Sequence, residues 1–355
     1  MCKYQLKFIK EKTKWKELLS NKDITDVYYQ YEYAFSIANH LHGVPILLNY
    51  GNDEGGFIYV LIVQDIALDI KFQGVIPNGE FYDAESPYGY GGPLFYGNFD
   101  LTEEITADFQ SNLKRICKGE GIITQFIRFY PLLFEKRSTM IVDRIGTYKG
   151  TIYMDTSEKD RVTAQLDSQY RRKIRKASEA GVRIVTDHGE KISDFIRLYN
   201  ATMEMHQADD FYFFPKEYYE YLICHFQDHL ILFYAYLDDK AVGASLYLYD
   251  QKYMHFHLGG RDVNALNVPF ENYIMVEAAK WANGHGIQKL HLGGGLSEQD
   301  SLFQYKKKFN RAGILPFYIG RTIFDEEKYM QLMKVRVETD SSFHENNTFY
   351  IQYRY

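Results

Sequence analysis

The sequence predicts an α/β protein divided into two domains, and three observations carry that expectation. At 355 residues the chain exceeds the roughly 250–300 at which a single hydrophobic core usually stops growing. Short strand-like apolar runs alternate with helix-like segments, most regularly in the second half, which is the pattern of a mixed sheet with helices. Near Tyr148 that pattern begins afresh, which sets the domains at 1–147 and 148–355. An apolar fraction of 46% and a charged fraction of 25% are those of an ordinary globular protein.

In the first domain, "TDVYYQYEYAFSIANHLHG" (25–43) reads as a helix stopped by Gly43. The runs "VPILLNY", "GFIYVLIVQ" and "LDIKFQ" read as strands. "SPYGYGGPLF" (86–95) is dense in turn formers interleaved with aromatics, Tyr88 and Tyr90 among them. A helix over 102–118 leads into strands "IITQFIRFYPLL" and "STMIVDRIG". The second domain opens with strand "GTIYMDT" and a long basic helix over 158–180, closed by Gly181. Strand "VRIVTD", helices over 192–207 and 216–226, and strands "LILFYAYLD", "AVGASLYLYD" and "YMHFHLGG" follow. A helix over 271–284, strand "IQKLHLG", a glycine turn and strand "ILPFYIGRTIF" complete it. From Asp325 the tail is helical and ends in "FYIQYRY", aromatic enough to dock back on the protein.

Charge and cysteine usage narrow the function classes. A net charge of −6 argues against a surface that binds nucleic acid throughout, so an anionic partner needs a local basic cluster. Cys2, Cys117 and Cys224 are odd in number, far apart and form no CxxC pair. That points to a reducing compartment, with neither a disulfide framework nor a zinc site. The first residues carry no apolar signal core. "FIYVLIVQDIALDI" is broken by Gln64 and Asp65 and too short to span a bilayer. The expectation is a cytoplasmic protein with no transmembrane segment. The 32 tyrosines and 25 phenylalanines fit strand propensity as well as aromatic clefts. His255 and His257 alternate on a strand without a third ligand at metal spacing, so no metal is expected. Glu204 and His206 stand near a helix end without a supporting partner, and no G-x-S-x-G elbow occurs.

Two local clusters stand out. "SQYRRKIRKASEAGVRI" carries Arg171, Arg172, Lys173, Arg175 and Lys176 within six residues. Leu166, Tyr170, Ile174 and Ala177 fall within about an 80° arc of that helix and make its buried stripe. The three arginines point away from the stripe and Lys173 falls inside it. Such a face is either solvated charge or a phosphate-binding surface, because guanidinium forks grip phosphate oxygens in pairs.

The second cluster is "GGGLSEQDSLFQYKKKF" (293–309). Gly293, Gly294 and Gly295 allow close backbone approach, and Ser297 with Asp300 forms a capping box that places a helix start at Ser297. Taking Leu302 as zero, Phe309 lies at about −20°, Lys306 at about +40° and Phe303 at about +100°, whereas Lys307 and Lys308 fall on the outer face. A lysine turned toward the core must snorkel, pair, or line a cleft where an anion sits.

"SPYGYGGP", "YRRKIRKASEAGV" and "LHLGGGLSEQDSLFQYKKKF", in this order, resemble the FemAB-like branch of the GNAT acyltransferase superfamily, over nearly the whole chain. That branch includes bacterial peptidoglycan bridge aminoacyltransferases of the cell wall. The resemblance implies two tandem GNAT-like domains, each a mixed sheet flanked by helices, with the tail docking back. It also implies acyl or aminoacyl transfer to an amine of an anionic, nucleotide-linked acceptor such as a cell-envelope precursor. Carried over, Lys306 is the site lysine; the sequence names no clear general base, and Asp300 is a candidate that also suits a helix cap. Gly293 to Gly295, Tyr305, Arg171, Arg172, Lys173, Arg175, Tyr88 and Tyr90 would bind substrate. No tightly bound cofactor is implied; the donor would be acyl-CoA or an aminoacyl-tRNA held by its acceptor end. Two departures bear on it. No coiled-coil arm is inserted after the basic helix. "GGRDVNALNVPFENYIM" does not match the pyrophosphate loop [QR]-x-x-G-x-[GA] of acetyl-CoA enzymes. The alternatives are a CoA-dependent N-acyltransferase acting on a sugar amine, and a non-catalytic module for an anionic ligand.

Overall fold

The computed structural model describes residues 4–265, 268–295 and 300–355. In chain order the strands are β1 (Gln5–Ile9), β2 (Val44–Gly51), β3 (Gly55–Asp65), β4 (Tyr82–Glu85), β5 (Leu94–Gly97), β6 (Ile122–Arg128) and β7 (Arg144–Asp155). They continue with β8 (Arg183–Asp187), β9 (Leu230–Leu237), β10 (Lys240–Tyr249), β11 (Tyr253–Arg261), β12 (Lys289–Gly294) and β13 (Ile314–Ile323). The helices are α1 (Lys12–Asn21), α2 (Tyr31–His40), α3 (Glu103–Gly119), α4 (Lys159–Ala164) and α5 (Ser168–Glu179). They continue with α6 (Ile192–Met205), α7 (Lys216–Phe226), α8 (Phe270–Gly284), α9 (Ser301–Lys307) and α10 (Glu326–Thr339). Two compact units result: 1–24, 28–148 and 317–355 form the first, 25–27 and 149–316 the second.

The first unit is a mixed sheet in the order β1-β2-β3-β4-β6-β13, with β5 on β3. Its β4–β6 pair is parallel, and β1–β2, β2–β3 and β6–β13 are antiparallel. Helix α3 buries Phe109, Leu113 and Cys117, spaced four apart, against Phe57, Tyr59 and Ile127 of the sheet. The tail docks within this unit. Tyr353 is fully buried, and Arg354 joins Asp83 at 2.6 Å and Asp69 at 2.5 Å.

Three stretches of this unit depart from expectation, each through local polar bonds or turns. "LDIKFQ" is not a strand. Asp65 accepts from Ala67 N at 3.0 Å and Asp69 from Lys71 N at 2.9 Å, so carboxylate turns replace a ladder there. "STMIVDRIG" divides into a 3₁₀ turn over Lys136–Ile141 and the start of β7. Residues 25–43 divide at an extended Gln30 into a 3₁₀ turn and α2.

The second unit is a mixed sheet in the order β7-β12-β11-β10-β9-β8, with β11–β12 parallel. Ile231, Phe233 and Ala235, alternate residues of β9, share a core with Phe270, Ile274 and Ala278 of α8 and with Tyr170 and Ala177 of α5. The helix expected over 158–180 is two helices. Asp167 restarts it, its side chain accepting from Gln169 N at 2.9 Å while its own N–H donates to Lys308 O at 2.9 Å. That second bond ties the start of α5 to the end of α9. Among the described residues, no helix is long and apolar enough to cross a membrane, and no group of three or more His, Cys, Asp or Glu could hold a metal ion.

Candidate functional site

The glycine turn begins inside β12. Its register against β7 slips between His291 and Gly293. Leu292 is the extra residue, and Gly293 beside it turns the strand at φ +70°, a left-handed value that disfavours a side chain. At Gly295 a side chain would collide with the Asp300 carboxylate. Asp300 caps α9, its Oδ1 accepting from Phe303 N at 2.6 Å. The expected start at Ser297 lies outside the described residues; the described helix begins at Ser301.

Helix phase turns Lys306 inward. Phe303 is 2% exposed, Lys306 6% and Phe309 0%, so the lysine sits in the middle of the buried arc. Leu302, the zero of that angular reckoning, is 48% exposed. Lys306 Nζ donates to Gly294 O at 2.7 Å and lies 5.6 Å from the centroid of the Phe256 ring. Burial lowers the ammonium to about 8, and the nearby Asp300 charge opposes that fall. Lysine at this value is still largely charged at neutral pH.

Buried histidines line the same strands. His255 and His291 are register partners on β11 and β12, with ring centroids 5.6 Å apart. Burial, then the Lys306 charge, pushes His291 down to about 3. Burial, then His291 and His257, holds His255 well below its ordinary value. His257 Nε2 meets Tyr218 OH at 2.7 Å, and burial pushes it down to about 3. These rings are therefore neutral, and the positive charge beside His291 is that of Lys306.

The basic helix lies against the turn through its apolar side. Tyr170 OH donates to Tyr305 O at 2.9 Å, and the Tyr170 ring meets Phe309 at 4.8 Å. Arg171, Arg172, Lys173 and Arg175 are all exposed. Arg171 donates to Leu166 O at 2.6 Å, and Arg175 pairs with Glu179 at 3.6 Å. Lys173, expected inside the buried arc, reaches out with its ammonium 5.4 Å from the Tyr170 ring.

Tyr88 and Tyr90 belong to the packing of the first unit. Tyr33 OH donates to Tyr88 O. Tyr90 is buried and its ring meets those of Tyr28 and Tyr130 at 5.3 and 5.5 Å. Gly91 and Gly92 both donate to Arg128 O. The structure thus brings Gly293 to Gly295, Asp300, Tyr305, Lys306 and the root of the basic helix together within the second unit, whereas Tyr88 and Tyr90 lie in the first.

Sequence reasoning missed two neighbours. Phe256 forms the surface against which Lys306 lies, but an aromatic on a strand carries no distinguishing signal. Arg261 at the end of β11 pairs with Glu271 in the first turn of α8 at 2.7 Å, both half-exposed. Burial first, and then the Glu271 charge, pushes the adjacent Tyr305 phenol well above its ordinary value. The available hint was a lone arginine and glutamate ten residues apart across a strand-to-helix connection.

Residues 164–307, all inside the second unit, match the family model described as an acetyltransferase (GNAT) domain. No curated protein sequence matches the chain. Its fold is similar to that of FemX, with a TM-score of 0.67 and 12% identity over 93% of this chain and all of that one. The C-terminal domain (DUF2156) of a putative lysylphosphatidylglycerol synthetase from Agrobacterium fabrum is similar at TM-score 0.56, with 11% identity over 92% of this chain and 95% of that one. L-PGS from Bacillus licheniformis is similar at 0.53, with 10% identity over 93% and 97%. The chain thus shares the fold of FemX over nearly its whole length, and residues 164–307 of its second unit match a GNAT domain model.

Proposed function

We propose that this protein transfers an acyl or aminoacyl group to an amine of an anionic acceptor, with Lys306 as the cationic group of the site. The observation that carries the reading is the buried Lys306 ammonium, held by Gly294 O beneath the glycine turn, inside the segment that matches a GNAT domain.

Acyl transfer forms a bond from the acceptor nitrogen to the acyl carbon. The carbonyl electron pair moves onto oxygen, and the bond to the donor's carrier then breaks. The developing oxyanion needs preorganised donors where water is scarce. One N–H of the Lys306 ammonium is engaged by Gly294 O, which leaves two for that oxyanion or for a donor phosphate. Removing one such donor typically costs about 10²–10³ in rate. Arg171, Arg172 and Arg175 supply charge for a phosphate-bearing substrate on a helix anchored beside the turn by Tyr170. Asp300 is engaged as the cap of α9, so its role is to close the turn rather than to take a proton.

The likeness to lysylphosphatidylglycerol synthetases supports an aminoacyl donor and an anionic acceptor such as a cell-envelope precursor. A second reading, acyl-CoA-dependent acylation of a sugar amine, is favoured by the acetyltransferase match. The test offers acetyl-CoA or a mixture of aminoacyl-tRNAs as donor, with UDP-linked peptidoglycan precursors or amino sugars as acceptor, and follows the product by mass spectrometry. The expected result is an N-acylated precursor formed from aminoacyl-tRNA. Product from acetyl-CoA and an amino sugar instead supports the second reading, and no transfer in any combination contradicts both.

A further inference from the structure

We infer that Glu271 receives the acceptor amine and takes its proton, with Arg261 as the residue that positions the carboxylate. The inference rests on the acyl-transfer reading and adds the proton acceptor that the sequence did not name.

Tyr247 of β10 and Phe256 of β11 lie in one core with residues of α8 and α9. Tyr247 and Phe256 are register partners there, with ring centroids 5.7 Å apart. At one end of this aromatic floor lies the Lys306 ammonium, over Phe256. The Phe256 ring reaches along its own strand and comes within 2.7 Å of where a Cβ at Gly259 would stand. Two residues beyond Gly259, on the same face, is Arg261. Its guanidinium lies 5.6 Å from the Phe270 ring and pairs with Glu271 at 2.7 Å. Tyr247 OH to Met275 Sδ, at 3.6 Å, brings α8 over the same floor. A cation and a carboxylate therefore stand at two ends of one apolar surface, with Tyr305 beside both.

Chemistry assigns them different tasks. Lys306 suits the oxygen that gains charge, and a carboxylate suits the nitrogen that loses a proton. Glu271 has the access this requires, with its side chain 35% exposed, whereas Asp300 is committed to a helix cap. Arg261 holds the carboxylate in one orientation through a charge-assisted bond. In the step, the acceptor nitrogen bonds to the acyl carbon and its proton passes to a Glu271 oxygen. The bond from acyl carbon to the carrier oxygen or sulfur breaks, and the carrier leaves with that electron pair and is protonated by solvent. The charged or titratable groups that face Glu271 are Arg261 on β11 and Tyr305 on α9, and Tyr305 in turn feels Tyr247 on β10 and Tyr170 on α5.

The test measures kcat and KM for Glu271→Gln, Glu271→Asp and Lys306→Met with the donor and acceptor pair that the wild type uses. The expected result for Glu271→Gln is a kcat at least about 100-fold lower with KM within a few-fold, the range for loss of a proton acceptor. Glu271→Asp, which keeps the charge, should recover part of that loss. A Glu271→Gln variant with wild-type kcat, beside an inactive Lys306→Met, overturns the role of Glu271 and leaves the acyl-transfer reading intact. A loss that Glu271→Asp does not recover, together with a lower melting temperature in both, assigns the pair to structure and overturns the inference. No transfer by the wild type itself overturns the reading and the inference together.

Discussion

Two glycine-rich turns, one in each unit, look alike in sequence and differ in what they hold. In the first unit, "SPYGYGGP" is filled by the protein itself. Gly91 and Gly92 donate to Arg128 O, Tyr29 OH donates to Gly92 O at 2.6 Å, and Tyr90 packs among tyrosine rings. The charged side chain that reaches it, Arg128, donates to Ser86 O at 2.7 Å from the edge of the turn and is paired with Glu85 at 2.9 Å. In the second unit, the turn at Gly293 to Gly295 closes over the buried amine of Lys306. Both turns use glycine for close approach of backbone. In the first the charge is a partly exposed guanidinium paired with Glu85, whereas in the second it is a buried ammonium, which is costly to bury. The comparison teaches that glycine density marks a tight turn, and that the group held inside it marks the site.

The largest expected effect separates the two turns by activity. Lys306→Met should lower acyl transfer by about 10²–10³-fold, the range for loss of an oxyanion donor, while Tyr90→Phe stays within about twofold. The Met variant should melt at the same or a higher temperature, because the cost of burying the ammonium is removed with it. Equal activity losses in the two variants would erase the distinction between the turns.

The next effect reverses the comparison by stability. A Cβ at Gly92 would stand 2.8 Å from Phe129 Cα and 3.0 Å from Arg128 O, both backbone atoms of the sheet region. Gly92→Ala should cost about 1–3 kcal/mol by overpacking. Among the described residues a Cβ at Gly293 meets only Lys306 Nζ, at 3.5 Å, so Gly293→Ala carries mainly its left-handed backbone penalty of about 1–2 kcal/mol. Urea denaturation ranks the two, and transfer should fall further in Gly293→Ala than in Gly92→Ala. Greater activity loss in Gly92→Ala would break the account.

The α/β class and the helix phase of Lys306 were legible because both follow from periodicity along the chain. Phe303, Lys306 and Phe309 needed only a 100° step to fall together. The break at Asp167 was not legible, because a capping aspartate inside a helical pattern competes through a contact to Lys308 that lies 141 residues downstream in sequence. "LDIKFQ" misled for a related reason: its apolar residues fit a strand, while Asp65 and Asp69 bond the backbone locally. Arg261 and Glu271 meet only once β11 and α8 are folded against each other, so neither residue announced the pair.

The most direct test is the ionisation of Lys306 itself, followed by NMR of protein labelled at the lysine Cε, with Lys306→Arg to assign the resonance. An unfolded lysine keeps its proton to about 10.4, whereas burial in the folded chain brings Lys306 to about 8. Between those values the unfolded chain binds the extra proton, so stability should rise with pH across that window. The account predicts one lysine resonance titrating near 8, absent from Lys306→Arg. A Lys306 resonance titrating with the surface lysines, above 10, would contradict it.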